Sequence, residues 1–148
     1  MAVRLASLKA TTAAVRQEGS FVVGADTVVC VGRRVLGKPR SAPEAEAMLG
    51  LLSGRGHRVL TGVAVTTPDG RTASRLAEAR IAFKRLTDAE IAGLLASEEW
   101  RGAAGGYRIQ GLAGAHVISL TGSYTAVVGL PLYETVSLLS GLGYLGAP

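Results

Sequence analysis

A chain of 148 residues, 48% of them hydrophobic, is long enough for one globular domain with its own core. The net charge of +5 comes from single or paired basic residues, and aromatic residues make up only 5% of the chain, which disfavours a nucleic-acid surface and favours a site for a small polyanion. No apolar run reaches the roughly 20 residues of a membrane span, no signal-peptide pattern opens the chain, and Cys30 is the only cysteine, so we expect a cytoplasmic protein without disulfides.

Helical and extended patterns alternate along the first half of the chain. The predicted elements are a helix over 3–16, a strand over 20–24, a hairpin with strands over 28–31 and 35–36, and a helix from Ser41 to Gly54. The first helix is predicted from apolar residues at helical spacing, Leu5, Leu8 and Val15. The second is predicted from the capping-box pattern of Ser41 and Glu44.

The second half of the chain adds long strands, two helices and a glycine-rich segment, 102–106. The predicted elements are strands over 57–67 and 71–86, a helix that begins at Thr87, short strands over 115–120 and 124–128, and a last helix opened by Leu130 and Pro131. Because helices and hairpins interleave without a repeat or a linker, we predict one α/β domain with a mixed sheet.

A carboxylate and an ammonium group flank the predicted hairpin. Asp26 follows an apolar strand, where ligand sites of α/β sheets gather, so it is a candidate metal ligand or base for water; the alternative is an aspartate that caps a turn. Lys38 lies between Gly37 and Pro39 and is a candidate phosphate contact; the alternative is a solvated turn lysine. The hairpin is expected to fold Lys38 back towards Asp26, a combination suited to a phosphate ester and its metal ion.

Gln110 follows the glycine-rich segment and is a candidate for reading a base edge through its paired donor and acceptor; the alternative is an amide that bonds loop backbone. His57 has no Cys or Glu partner at metal-ligand spacing and is predicted to be a strand histidine. The adjacent acids Glu98 and Glu99 are expected to be solvated, and Trp100 is expected to pack in the core.

Taken together, these segments resemble the Maf family of nucleotide pyrophosphatases from about Leu5 to Thr135. The resemblance lies in the order of short motifs. They include Leu5-Ala6-Ser7-Leu8-Lys9-Ala10, Gly24-Ala25-Asp26-Thr27-Val28-Val29, Leu36-Gly37-Lys38-Pro39, Ala104-Gly105-Gly106-Tyr107, Ile109-Gln110-Gly111 and Val127-Val128-Gly129-Leu130-Pro131. The resemblance implies an elongated mixed sheet flanked by helices, with a central cleft, usually in a homodimer. It also implies hydrolysis of a nucleoside triphosphate to the monophosphate and pyrophosphate with a divalent metal, magnesium or manganese.

The resemblance assigns roles to four residues. It implies that Asp26 holds the metal or orients the attacking water. Lys9 and Lys38 would bind substrate and offset charge on the phosphates and on the leaving pyrophosphate. Gln110 would read the pyrimidine, because the Ile-Gln-Gly form resembles the branch that acts on dTTP and UTP.

The chain also departs from the family pattern. The family opens with a strand and a Ser-x-Ser-Pro-Arg-Arg phosphate loop, followed by a segment with a second acidic residue, and we expect residues 1–148 to form a Maf-like domain without them. Ala103 stands where many members have lysine, and Glu98 where many have glycine. The alternative expectation is therefore a catalytically impaired remnant of the fold that binds a nucleotide or a partner.

Overall fold

The structure, a computed structural model, describes residues 2–16 and 19–144, with only the backbone described for 12–16. Within these ranges the chain forms five α-helices and five strands. The helices are α1 (Ala2–Arg16), α2 (Ala42–Leu52), α3 (Asp88–Ala96), α4 (Tyr124–Val128) and α5 (Leu132–Gly141). The strands are β1 (Val22–Val31), β2 (Arg34–Leu36), β3 (Gly56–Thr66), β4 (Thr72–Phe83) and β5 (Val117–Gly122).

The strands form one five-stranded sheet in the order β2-β1-β3-β4-β5. Strands β1 and β2 are antiparallel, with Val29 opposite Leu36. Strands β4 and β5 are also antiparallel, with Ile81 opposite Leu120. The predicted α/β class is confirmed, and both of these pairings are antiparallel, whereas the sequence predicts a mixed sheet.

The chain divides into two compact units, each assembled from separate segments. Unit 1 comprises Met1–Thr27, Leu60–Glu78 and Thr125–Pro148; unit 2 comprises Val28–Val59 and Ala79–Tyr124. Strands β1, β3 and β4 therefore contribute residues to both units.

In unit 1, helix α1 packs through alanines. Ala6 and Ala10 are fully buried, whereas Leu5 and Leu8 are 38% and 63% exposed. The predicted helix is confirmed, and its buried face consists of alanines rather than of Leu5 and Leu8; the side chain of Val15 lies outside the described residues.

Two glycines explain why small residues face the sheet. A Cβ atom on Gly24 of β1 would lie 2.8 Å from the backbone N of Ala10, and one on Gly62 of β3 would lie 2.6 Å from the Cα of Val3. The helix backbone thus lies directly against both strands, and only short side chains fit between them. Ala64 of β3 completes this cluster.

Strand β1 is continuous over ten residues, where the sequence pattern predicts two separate strands. Asp26 consequently lies inside the strand, and its predicted position just past a strand end is wrong. Thr27, Val28 and Val29 are β-branched and favour extended backbone, which outweighs the turn tendency of the preceding residues. The Thr27 hydroxyl also bonds the hydroxyl of Thr61 on β3, at 2.8 Å.

The strand predicted over 124–128 is wrong, because these residues form helix α4. The N–H of Gly129 donates to the carbonyl of Thr125 at 3.1 Å and closes the turn. Ala126 is fully buried, and its carbonyl accepts a hydrogen bond from Thr61 at 2.6 Å. Packing of this short segment overrides its β-branched composition.

Local signals set the helices of unit 2 as predicted. The Ser41 hydroxyl accepts the N–H of Glu44 at 3.3 Å at the start of α2. Thr87 and Glu90 form a reciprocal capping box at the start of α3, with bonds of 3.1 and 2.9 Å. Trp100 is 5% exposed and packs in the core, as the sequence predicts. In the described part of the chain, no helix has the length and apolar character needed to cross a bilayer.

Candidate functional site

The structure brings together two of the four residues that the sequence singles out. Lys9 on α1 places its Nζ 2.9 Å from Oδ1 of Asp26 on β1, and the same ammonium group donates to the carbonyl of Ala25 at 3.2 Å. The Asp26 side chain is 13% exposed and that of Lys9 is 49% exposed. The carboxylate is therefore largely shielded, while the ammonium group keeps an open side that an anionic ligand can contact.

A chain of hydroxyl hydrogen bonds fixes the strand segment next to Asp26. Thr61 is fully buried, and its Oγ1 donates to the carbonyl of Ala126 at 2.6 Å. A threonine hydroxyl has one proton, so at the 2.8 Å contact with Thr27 it is Thr27 that donates. The sequence does not predict this series of hydrogen bonds. The alternating pattern of β3 indicates only that the Thr61 side chain is buried.

Lys38 is exposed at a corner of unit 2 that its neighbours hold in place. The carbonyl of Gly37 accepts the N–H of Gly105 at 3.1 Å, and Pro39 is buried. Gly105 has a φ of +73°, and a Cβ atom there would lie 3.0 Å from a methyl group of Val29. Glycine is favoured at this position, and the glycine-rich segment is bonded directly to the corner that carries Lys38.

Gln110 is exposed on a turn of unit 2 that Glu99 stabilises. The N–H of Gly111 donates to the carbonyl of Arg108 at 3.0 Å, and the N–H of Leu112 donates to Oε2 of Glu99 at 3.0 Å. Glu99 is half-buried, so its predicted solvated position is wrong: its carboxylate satisfies loop backbone. The turn thereby presents the amide of Gln110 to solvent from a fixed backbone.

The four residues divide between the two compact units. Lys9 and Asp26 belong to unit 1, and Lys38 and Gln110 belong to unit 2. Among the described side chains, no group of three or more His, Cys, Asp or Glu is arranged to hold a metal ion. The single carboxylate of Asp26 fits Mg²⁺ bound mainly through substrate phosphates and water, which is the usual mode for this ion.

A buried histidine–tyrosine pair lies beneath the segment that leads to Gln110. Nε2 of His57 and the hydroxyl of Tyr107 are 2.6 Å apart, and both residues pack against Phe83. Burial lowers the pKa of His57 to about 4 and raises the pKa of Tyr107. His57 is therefore a neutral core histidine of β3 that anchors Tyr107, a pairing that nothing in the sequence indicated.

We expect His57 to make the protein less stable as the pH falls below neutral. Its folded pKa of about 4 lies below the ordinary value of 6.5, so the unfolded chain takes up the proton first. The contribution of His57 to the free energy of unfolding is complete above pH 6.5 and decreases towards pH 4. Between pH 7 and pH 5 the free energy of unfolding falls by about 2 kcal/mol. Urea denaturation at pH 7 and pH 5 measures it. His57→Gln should remove most of the difference, and an equal difference in both proteins would contradict the assignment.

Glu98 has a backbone conformation that favours glycine. Its φ of +59° is the only positive φ of a non-glycine residue in the described ranges. Its side chain forms an exposed ion pair with Arg101 at 3.1 Å. The left-handed backbone gives a physical reason for the glycine that the family pattern has at this position.

Replacing Glu98 by glycine is expected to raise the free energy of unfolding by roughly 0.5–1 kcal/mol, because the left-handed strain is relieved. Loss of the ion pair offsets little of this, since both its side chains are 63% exposed. Thermal denaturation of Glu98→Gly beside Glu98→Ala measures the effect. The alanine variant loses the ion pair but keeps the Cβ atom, so a gain in both variants would exclude strain as the cause.

Comparison with known proteins identifies the family of this chain. The sequence profile of the Maf-like protein family matches residues 1–142. A dTTP/UTP pyrophosphatase of Caulobacter vibrioides is 59% identical over 143 residues, which cover 97% of this chain and 74% of that protein. A dTTP/UTP pyrophosphatase of Rhizobium meliloti is 55% identical over 139 residues, 94% of this chain and 68% of that protein. One of Hyphomonas neptunium is 58% identical over 144 residues, 97% of this chain and 74% of that protein. The chain therefore belongs to the Maf-like protein family.

Proposed function

We propose that this protein is a nucleoside triphosphate pyrophosphatase, a hydrolase acting on acid anhydrides, which converts dTTP or UTP to the monophosphate and pyrophosphate. The observation that carries the proposal is the contact of 2.9 Å between the Lys9 ammonium and the Asp26 carboxylate. The relatives named dTTP/UTP pyrophosphatases, at 55–59% identity, support the choice of substrate.

In the proposed reaction a water oxygen attacks the α-phosphorus, the bond from that phosphorus to the bridging oxygen breaks, and pyrophosphate leaves. Asp26 orients the water and accepts its proton, while Lys9 and Lys38 bind the phosphates and offset the charge that builds up on the leaving group. A magnesium or manganese ion, which Asp26 would hold together with the phosphates, supplies further charge neutralisation.

Gln110 is proposed to select the base. Its amide offers one acceptor and two donors, which match the N3–H and O4 groups shared by thymine and uracil. The Glu99 bond to the Leu112 N–H supports this role, because it limits the movement of the turn that carries the amide. We also propose that the protein is a cytoplasmic homodimer, because its sequence resembles the family. Sedimentation equilibrium tests whether it is a dimer.

The assay follows pyrophosphate release from dTTP and UTP, with magnesium or manganese, and with dGTP for comparison. We expect release from the two pyrimidine nucleotides and its loss on chelation of the metal. Calorimetry with dTTP on the same chain tests the alternative: binding without release indicates a catalytically impaired, nucleotide-binding member of the fold. Absence of both binding and release contradicts the proposed function.

A further inference from the structure

A cavity of about 380 Å³ lies against the sheet in unit 2 and is lined by both polar and apolar residues. Strands β1, β3, β4 and β5 all contribute to it. Its lining residues include Cys30, Arg58, Arg80, Ala82, Ser119 and Thr121. The lining thus contains two guanidinium groups and two hydroxyl groups, and no carboxylate is among the described residues that line it.

The cavity borders the part of the sheet that carries Cys30 and Arg80. Successive side chains of a strand point to opposite faces. Val29 packs towards Gly105, so the next residue, Cys30, points to the cavity. Arg80 is exposed, and the buried residues His57 and Ile81 also border the cavity. Lys38 is not among the residues that line the cavity.

The register of β3 and β4 sets Arg58 directly opposite Arg80. One antiparallel register accounts for the hydrogen bonds at both ends of this strand pair. These are Thr67 N–H to Arg71 O at 2.8 Å and Phe83 N–H to Arg55 O at 3.1 Å. Counting inward along both strands from either bond aligns the two arginines.

Strand β5 adds hydroxyl groups to the same row of the sheet. Thr121 is the partner of Arg80, and Ser119 is the partner of Ala82. All four residues line the cavity. Guanidinium and hydroxyl donors that converge on one volume are the groups that bind tetrahedral oxyanions.

We propose that this cavity is an oxyanion site that binds a phosphoryl group through Arg58, Arg80, Ser119 and Thr121. Its volume lies within the range of about 300–1,000 Å³ typical of small-molecule sites, so it has room for more than the phosphoryl group. The ligand class is therefore inorganic phosphate or a small phosphate ester. The proposal uses none of the residues assigned to pyrophosphatase activity and does not depend on that activity.

The test is a titration of the ¹⁵N-labelled protein with inorganic phosphate, followed by amide chemical shifts. We expect saturable shifts at 80–82 and 119–121. Arg80→Gln should weaken binding by about tenfold or more, because a charge-assisted hydrogen bond is lost. Arg75→Gln removes an exposed arginine of the same strand that does not line the cavity, and should bind phosphate as the unaltered protein does.

Two further variants keep the proposal open to contradiction. Thr121→Val retains a β-branched side chain and should also weaken binding, which provides a test if Arg80→Gln fails to fold. Unchanged affinity in Thr121→Val and Arg80→Gln overturns the proposal, as does loss of phosphate binding in Lys38→Gln alone. Ribose 5-phosphate as a second probe separates the two ligand sources: tighter binding than phosphate identifies an ester, and equal binding identifies free phosphate.

Discussion

Asp26→Asn is expected to lower kcat/KM for dTTP by roughly a hundredfold to a thousandfold while the protein remains folded. Asparagine has the same shape and still accepts the hydrogen bond that Lys9 donates over 2.9 Å. It lacks the negative charge that holds a divalent metal and cannot accept a proton from water. The loss should therefore appear in kcat rather than in the stability of the protein. Steady-state pyrophosphate release, with thermal denaturation of the same sample, measures both.

Glu46→Gln is the matched control for this loss of charge. Glu46 is an exposed carboxylate on α2, so its neutralisation should leave kcat/KM unchanged. An equal loss in both variants would indicate a general effect of charge. Full activity of Asp26→Asn would remove Asp26 from the proposed mechanism, whatever the other residues do.

The elements predictable from the sequence are those with local signals. The Ser41 and Thr87 caps define the starts of α2 and α3, because a cap requires only residues three positions apart. The hairpin of β1 and β2 follows from two apolar runs around Gly32, which has a φ of +56°. Lys38 accordingly lies at the corner after β2 that the Gly-Lys-Pro sequence predicts.

The features that the sequence missed depend on contacts between distant segments. Asp26 lies inside β1, where β-branched residues favour extended backbone and the bond of Thr27 to Thr61 ties the strand to β3. Glu99 is half-buried because the backbone of Leu112 returns to it. No short-range pattern contains either contact, so the sequence predicts a strand-end aspartate and a solvated acid. The partnership of Lys9 and Asp26 was implied by family resemblance rather than by periodicity, since α1 and β1 meet only through tertiary packing.

Gly24→Ala is expected to destabilise the protein by on the order of 3 kcal/mol and to lower activity in the fraction that remains folded. The added methyl group would meet the carbonyl oxygen of Ala6 and lie 2.8 Å from the backbone N of Ala10. Both are backbone atoms of α1, so the clash is relieved only if the helix moves. Lys9 lies on this stretch of helix, and its movement lengthens the bond of 2.9 Å to Asp26. Urea denaturation and kcat/KM for dTTP measure the two effects.

Gly50→Ala separates this steric effect from the general consequences of replacing glycine. Gly50 lies in α2, where a Cβ atom would have nothing within 4 Å, so alanine there should stabilise the protein by about 0.5–1 kcal/mol. If Gly24→Ala destabilises the protein and Gly50→Ala stabilises it, the close approach of α1 to β1 is the cause of the destabilisation. Unchanged stability of Gly24→Ala would mean that the helix can withdraw without cost. If stability falls but kcat/KM of the folded fraction does not, the contact of Lys9 with Asp26 is structural. Catalysis would then depend on Asp26 but not on its contact with Lys9.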